Sequence, residues 1–359
     1  FVGGSDNDSA DTIAIDSSDS SGNVYIAGKT TSLNYPAYGY DTSHNNREDV
    51  FVSKFNSNLT TLISSTFIGG SSNDNAYSIA ISPLSGDVYI TGKTTSLDYP
   101  FVSGSYDSLY HDSGESYIGD VFVSRLSNDL TSLLSSTYVG GGKEDYASSI
   151  AIDSSGNILI TGGTNSSDYP TTSGSYDTSH NGSYDVFVSK LSSDLTSLLS
   201  STFVGGSNLD VASAIIITSD GIYITGGTYS LDYPTISGYY DISHNGSYDV
   251  FISRFSSDLT SLLSSTFVGG SNDDFANTIT ADSSGNIYIA GFTGSSDYPT
   301  TTGSYDPSHN GGNDVFISHL KGTLTNLLSS TFIGGSGSEI AYGMAISSDN
   351  IYIAGETNS

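Results

Sequence analysis

The sequence predicts an all-β protein assembled from repeated four-stranded antiparallel units. Three observations carry this reading. Gly-Gly pairs begin at Gly3, Gly69, Gly140, Gly205, Gly269 and Gly334, giving spacings of 66, 71, 65, 64 and 65 residues, and such self-similarity marks a repeat architecture. Each repeat passes through the same alternating β-rich stations. The composition combines 41 Gly and 26 Tyr with many Ser, Thr, Ile and Val, a mixture suited to strands and tight turns.

The third repeat shows the stations in order. After the Gly140 pair and Asp145 comes an alternating segment, Ala147 to Ile152, then a turn at Asp153 to Asn157 and a second segment, Ile158 to Thr161. A long polar stretch follows, with Asp168-Tyr169-Pro170, Tyr176-Asp177 and His180-Asn181, before Asp185 to Leu191 and Leu198 to Val204. Ser-Gly-Asn at Ser155 to Asn157, Ser284 to Asn286 and Ser21 to Asn23 supplies the turn between the first two segments, as a hairpin requires. The first segment is built from small residues, Ala147, Ser148, Ser149 and Ala151, and the second from larger ones. A four-stranded unit whose first strand is small fits a β-propeller blade, where the innermost strand is crowded near the axis.

These residues resemble a known family. Gly156 to Thr164, Asp168-Tyr169-Pro170-Thr171, Asp185 to Leu191 and Ser201 to Gly206 are similar to the SBBP beta-propeller repeat of prokaryotic surface and secreted proteins. The resemblance extends along essentially the whole chain and implies a propeller in an extracellular setting. It brings no common catalytic site. The family name implies seven blades, whereas counting strands here favours six: 5-70, 71-141, 142-206, 207-270, 271-335 and an incomplete 336-359, completed by Phe1 to Gly4. No linker separates the repeats, so residues 1-359 read as a single propeller. The chain lacks an initiator Met and a signal peptide, which reads as a processed chain or a fragment.

Charge and composition exclude several functions. Nine Lys and Arg against 38 Asp and Glu give a net charge of -29, which opposes binding to nucleic-acid phosphates or an anionic membrane. Only 5 of the acids are Glu, so the charge belongs to Asp-rich turns rather than to helices. Zero cysteines excludes disulfides, thiolate metal sites and Cys nucleophiles. No apolar stretch approaches the roughly 18 residues a membrane span needs.

Candidate sites come from the repeats and from their one departure. Asp8, Asp74, Asp145, Asp210, Asp274 and Glu339 follow the Gly-Gly pairs at one offset. They are candidate ligands for calcium, a hard cation that takes several oxygen ligands, or turn residues that bind nearby backbone N–H groups. His44, His111, His180, His244 and His309 occur once per loop, which reads as scaffold rather than as a catalytic or zinc set. Lys54, Arg125, Lys190 and Arg254, with His319 in the fifth repeat, end the third strand and read as partners for nearby Asp. The second repeat has a longer loop, and Tyr106, Asp107, Tyr110, Asp112, Glu115 and Tyr117 there are candidate ligand-binding residues for sugar hydroxyls or a cation. Asn7, Asn58, Asn165, Asn181 and Asn245 stand in N-glycosylation sequons.

Together these features favour a non-enzymatic, extracellular structural or adhesive propeller that self-associates, for instance as a surface-layer or filament subunit. The alternative is a calcium-dependent glycan-binding module. A hydrolase would need a paired acid and base that the spacing does not reveal.

Overall fold

The computed structural model describes residues 1–18, 20–45, 47–111, 118–347 and 350–359, and every regular element in them is a β-strand. The first sheet contains β1 (Asp8–Ile15), β2 (Val24–Thr30), β3 (Asp49–Phe55) and β4 (Leu62–Ile68). The second contains β5 (Asp74–Ile81), β6 (Val88–Thr94), β7 (Asp120–Leu126) and β8 (Leu133–Val139). The third contains β9 (Asp145–Ile152), β10 (Ile158–Thr164), β11 (Asp185–Leu191) and β12 (Leu198–Val204). The fourth comprises β13 (Asp210–Thr218), β14 (Gly221–Thr228), β15 (Asp249–Phe255) and β16 (Leu262–Val268), and the fifth β17 (Asp274–Ala281), β18 (Ile287–Thr293), β19 (Asp314–Leu320) and β20 (Leu327–Ile333). The last sheet has two strands, β21 (Glu339–Ser347) and β22 (Asn350–Thr357). Strands within each sheet follow chain order.

Two expectations about strand limits change. Phe1 to Gly4 form no strand; Val2 instead packs against Tyr35, Phe51 and Phe67 of the first repeat. The second strand of the third repeat continues past Thr161 to Thr164 because the first strand bulges there: pairing skips from Thr161↔Ser149 to Gly162↔Ala147. Each first–second strand pair carries this irregularity, and a glycine faces it. A Cβ on Gly92 would lie 1.9 Å from the Asn75 carbonyl oxygen, so only glycine permits the close approach.

The chain divides into two compact units, Phe1–Thr172 with Val188–Ser201 and Ser173–Phe187 with Thr202–Ser359. Within the first, β5 packs on β1, β2 and β3, and β9 packs on β5, β6 and β7. Within the second, β17 packs on β13, β14 and β15, and β21 on β17, β18 and β19. Within each unit neighbouring sheets therefore meet face to face, and the alternating apolar residues of both sides form the core. Between the first two sheets this core includes Val50, Val52, Ile68, Ala76, Ile79, Ile90 and Phe122.

Leucines tie four repeats to the ones before them. In the turn from third to fourth strand, Leu59, Leu130, Leu195, Leu259 and Leu324 adopt φ of 56° to 60°, a conformation costing a non-glycine residue about 1–2 kcal/mol. The carbonyls of Leu130, Leu195, Leu259 and Leu324 accept the N–H of Tyr40, Tyr106, Tyr176 and Tyr240 from the preceding repeat. Those four leucines are fully buried, and burying such a side chain returns about 1.5–3 kcal/mol. Among the described residues no tyrosine N–H reaches the Leu59 carbonyl, and Leu59 is 64 % exposed. Leu195→Gly is accordingly expected to lower unfolding free energy by about 1–3 kcal/mol, the cavity cost less the relieved strain. Leu59→Gly should be neutral or stabilising by up to about 1 kcal/mol, since it relieves strain and loses little burial. Urea unfolding of the two variants checks this contrast, and equal losses would refute it.

Candidate functional site

Each first-strand carboxylate accepts the N–H of the second glycine in the Gly-Gly pair before it and a hydroxyl from its own repeat. Asp74 Oδ2 accepts the Gly70 N–H at 2.8 Å and the Ser96 hydroxyl at 2.9 Å, while Oδ1 accepts the Thr94 hydroxyl. Asp145 takes the Gly141 N–H at 2.7 Å and the Ser166 hydroxyl at 2.9 Å. Asp210 and Asp274 repeat the pattern with Gly206 and Ser230, and with Gly270 and Ser295. Asp8 accepts the Gly4 N–H and the Thr30 hydroxyl, and Glu339 accepts the Gly335 N–H and the Ser359 and Thr357 hydroxyls. Among the described residues, no three His, Asp or Glu are placed to hold a metal ion.

A second set of carboxylates, not singled out from the sequence, faces the first. Asp49, Asp120, Asp185, Asp249 and Asp314 begin the third strands and are fully buried. Their Oδ2 atoms accept backbone N–H groups at 2.7–2.8 Å from Asn45, His111, Asn181, Asn245 and Asn310. In five of the six Gly-Gly pairs, at Gly69, Gly140, Gly205, Gly269 and Gly334, the first glycine lies between the two sets. A Cβ on Gly69 would stand 2.8 Å from Asp74 Oδ2 and 2.9 Å from Asp49 Oδ1; on Gly205 it would stand 2.8 Å from Asp185 Oδ1 and 3.0 Å from Asp210 Oδ2. The signal was present in the sequence: an Asp four residues after the His-Asn pair in four repeats, immediately before Val-Phe.

Burial dominates the ionisation of seven of these carboxylates. It pushes Asp74 and Asp145 up to about 7 and Asp274 up to about 6, against their hydrogen bonds, which favour the charged form. Burial raises Asp49, Asp185, Asp210 and Asp249 as well, with Asp210 adding to the rise at Asp185. Glu339 moves the other way, lowered by its hydrogen bonds to Ser359 and Gly335.

The histidines are structural. His44, His244 and His309 place Nε2 at 3.0–3.2 Å from the carbonyls of Thr30, Thr228 and Thr293. His44, His180, His244 and His309 stand edge-on to Phe67, Phe203, Phe267 and Phe332. Tyrosines of the Tyr-Pro stations pin the long loops down: Tyr35, Tyr99, Tyr169, Tyr233 and Tyr298 reach Ser53, Ser124, Ser189, Ser253 and Ser318 at 2.9–3.1 Å.

The third-strand cations split between acids and rings. Arg125 pairs with Asp87 at 2.5 Å and Lys190 with Asp153 at 2.8 Å, as expected. Lys54 instead binds the Asn128 carbonyl and side chain, and Lys54, Arg125 and Arg254 lie over Tyr25, Tyr89 and Tyr223. His319 stacks on Tyr288 at 4.0 Å.

In the longer loop of the second repeat, Asp107 pairs with His111 at 2.7 Å and accepts the Leu109 N–H. The Tyr110 hydroxyl donates to the Ile118 carbonyl, and Tyr106 makes the leucine-turn contact with Leu195. Asp112, Glu115 and Tyr117 lie outside the described residues. Of the sequon asparagines, Asn7, Asn58, Asn181 and Asn245 are exposed and Asn165 is half-buried.

The family model SBBP, described as a beta-propeller repeat, matches residues 136–170 and 265–299. Comparison with curated proteins returns no match. Among solved structures, the chain is similar to Pyrococcus horikoshii acylaminoacyl peptidase at 10% identity and TM-score 0.42, covering 93% of this chain and 41% of that one. It is similar to a neuraminidase-like protein from A/bat/Guatemala at 9% identity and TM-score 0.42, covering 92% and 75%. It is also similar to Chaetomium thermophilum Sqt1 at 10% identity and TM-score 0.39, covering 99% and 94%. The chain thus spans about two-fifths of the peptidase's length.

A pH dependence follows from the raised carboxyl groups. An Asp held protonated by folding contributes most below its unfolded value of about 3.9 and loses that contribution as pH rises through its folded value. The window here runs from about pH 4 to about 7. Urea unfolding should therefore show greater stability at pH 5 than at pH 8, each buried group contributing on the order of 1 kcal/mol or more. Asp145→Asn should narrow that difference, and a stability that rises from pH 5 to 8 would contradict the assignment.

Proposed function

We propose that this chain is a non-enzymatic extracellular structural or adhesive unit, a β-propeller of four-stranded blades that self-associates in a surface layer or filament. The count of repeats favours six blades, with seven the number the family name implies. The observation that carries the reading is the use of chemically capable side chains in every repeat as scaffold. The first-strand acids are bound by N–H and hydroxyl groups, and three of the loop histidines by carbonyls. Catalysis needs convergence at one place of a nucleophile, a base and an orienting group, or of an acid and a base. Equivalent groups used identically from repeat to repeat serve folding instead. The SBBP match and the exposed sequons support an extracellular setting.

Electron microscopy of the protein taken from its native surface tests this. Ordered polymers with contacts between successive rings are expected. Dispersed single rings would overturn the structural-unit reading and turn attention to calcium-dependent glycan binding by the acidic loops, read out as glycan-array binding lost on chelation.

A further inference from the structure

One joint departs from the repeat in its chemistry. The third strand of the first repeat carries Lys54, whose Nζ donates to the Asn128 side-chain oxygen Oδ1 at 2.5 Å and to the Asn128 carbonyl at 3.0 Å. Asn128 belongs to the leucine turn of the second repeat. Its Nδ2 donates to Asp16 Oδ2 at 2.9 Å and to the Gly86 carbonyl at 2.8 Å, so the amide nitrogen is held on one side and Oδ1 faces the amine. Lys54 is 6 % exposed and Asp16 1 %, and Nζ lies over the Tyr25 ring at 5.1 Å.

Other repeats keep the frame of this contact and change its chemistry. Tyr89 and Tyr223 donate to the carbonyls of Ser193 and Gly322 as Tyr25 donates to that of Asn128, which makes these turn positions equivalent. Across the five repeats the position holds Ser57, Asn128, Ser193, Ser257 and Gly322, so a carboxamide occurs there once. Arg125 reaches the Ser193 carbonyl at 3.1 Å. A bond to a backbone carbonyl is therefore what the scaffold needs, and serine or glycine supplies it as well as asparagine does. The carboxamide between a lysine and an acid is left unexplained by folding.

These three groups are the parts of an amide transfer. Oδ1 is bonded to Cγ, so the Lys54 contact holds an amine beside an electrophilic carbon, the arrangement that turns a weak nucleophile into an effective one. Asp16 touches the nitrogen that would leave. Burial opposes its charge, but hydrogen bonds from Ser18 and Asn128 and the Lys54 charge outweigh burial and hold the carboxyl below its usual range. It is thus ionised and able to take up a proton.

We propose that Lys54 and Asn128 join in an intramolecular isopeptide bond, made by the folded chain with Asp16 as proton carrier. Nζ bonds to Asn128 Cγ and the Cγ–Nδ2 bond breaks. Of the three protons on the Lys54 ammonium group, one stays on the new amide and two pass by way of Asp16 to Nδ2, which departs as ammonium. Asp16 begins and ends as a carboxylate, no electrons change hands, and no cofactor takes part. The bond spans 74 residues and ties the first repeat to the second in a chain without cysteine, constraining the unfolded chain as a disulfide would. It stands on the geometry of the three side chains, whatever the chain assembles with or binds.

Mass spectrometry of the intact, folded chain tests the bond. The mass is expected about 17 Da below that of the sequence, the ammonia lost. Trypsin should leave residues 48–93 uncut after Lys54 and joined to residues 126–143 as one branched peptide. Lys54→Arg and Asn128→Ser, the second being the residue of the next repeat at this position, should each restore the mass of the sequence while keeping the parent's circular dichroism. Asp16→Asn should slow linkage of freshly synthesised chain by about 100-fold or more. A parent chain at its full sequence mass, an ammonia loss without the branched peptide, or a loss that persists in Lys54→Arg or Asn128→Ser each overturns the proposal. Linkage of Asp16→Asn at the parent's rate overturns the part given to Asp16.

Discussion

The architecture depends on the place where one sheet hands over to the next. There the chain makes a Gly-Gly step between two buried carboxylates, one beginning the next first strand and one beginning the third strand just completed. Any side chain on the first glycine would displace an acid that holds its own turn. The acids cannot be omitted either, because each binds backbone N–H groups that burial would otherwise leave unpaired, at a cost of about 1–3 kcal/mol apiece. This shared constraint explains why Asp and Gly recur together at one spacing.

The same joint gives the acidity of the chain a second meaning. A net charge of -29 suggests a surface bristling with carboxylates, and many of the acids do lie in exposed turns such as those at Asp129, Asp194 and Asp258. A distinct subset is buried and driven toward the neutral form. Formal charge counted from sequence therefore overstates the charge the folded chain carries in mildly acidic conditions.

Much of the fold was legible because the repeat multiplies weak local signals. One alternating segment followed by Ser-Gly-Asn is ambiguous; the same sequence of stations seen again and again fixes strand order, turn positions and the long loop. Scaffold histidines were legible for the same reason. The ionisation of the buried acids was not, because desolvation depends on what packs over a carboxyl group. The leucine turns were also hidden: a left-handed Leu is disfavoured locally, and only a buried seat in the neighbouring repeat makes it tolerable.

By itself, then, the amino-acid order determined the all-β class, four strands per repeat, and the residues that punctuate them, since these follow from periodicities and turn preferences within a few residues. Tertiary structure alone decided which acids lose water, that cations rest on tyrosine rings as well as on acids, and that Phe1 to Gly4 form no strand. Those outcomes depend on which surfaces meet across a joint. That is a property of two repeats together, and no single repeat encodes it.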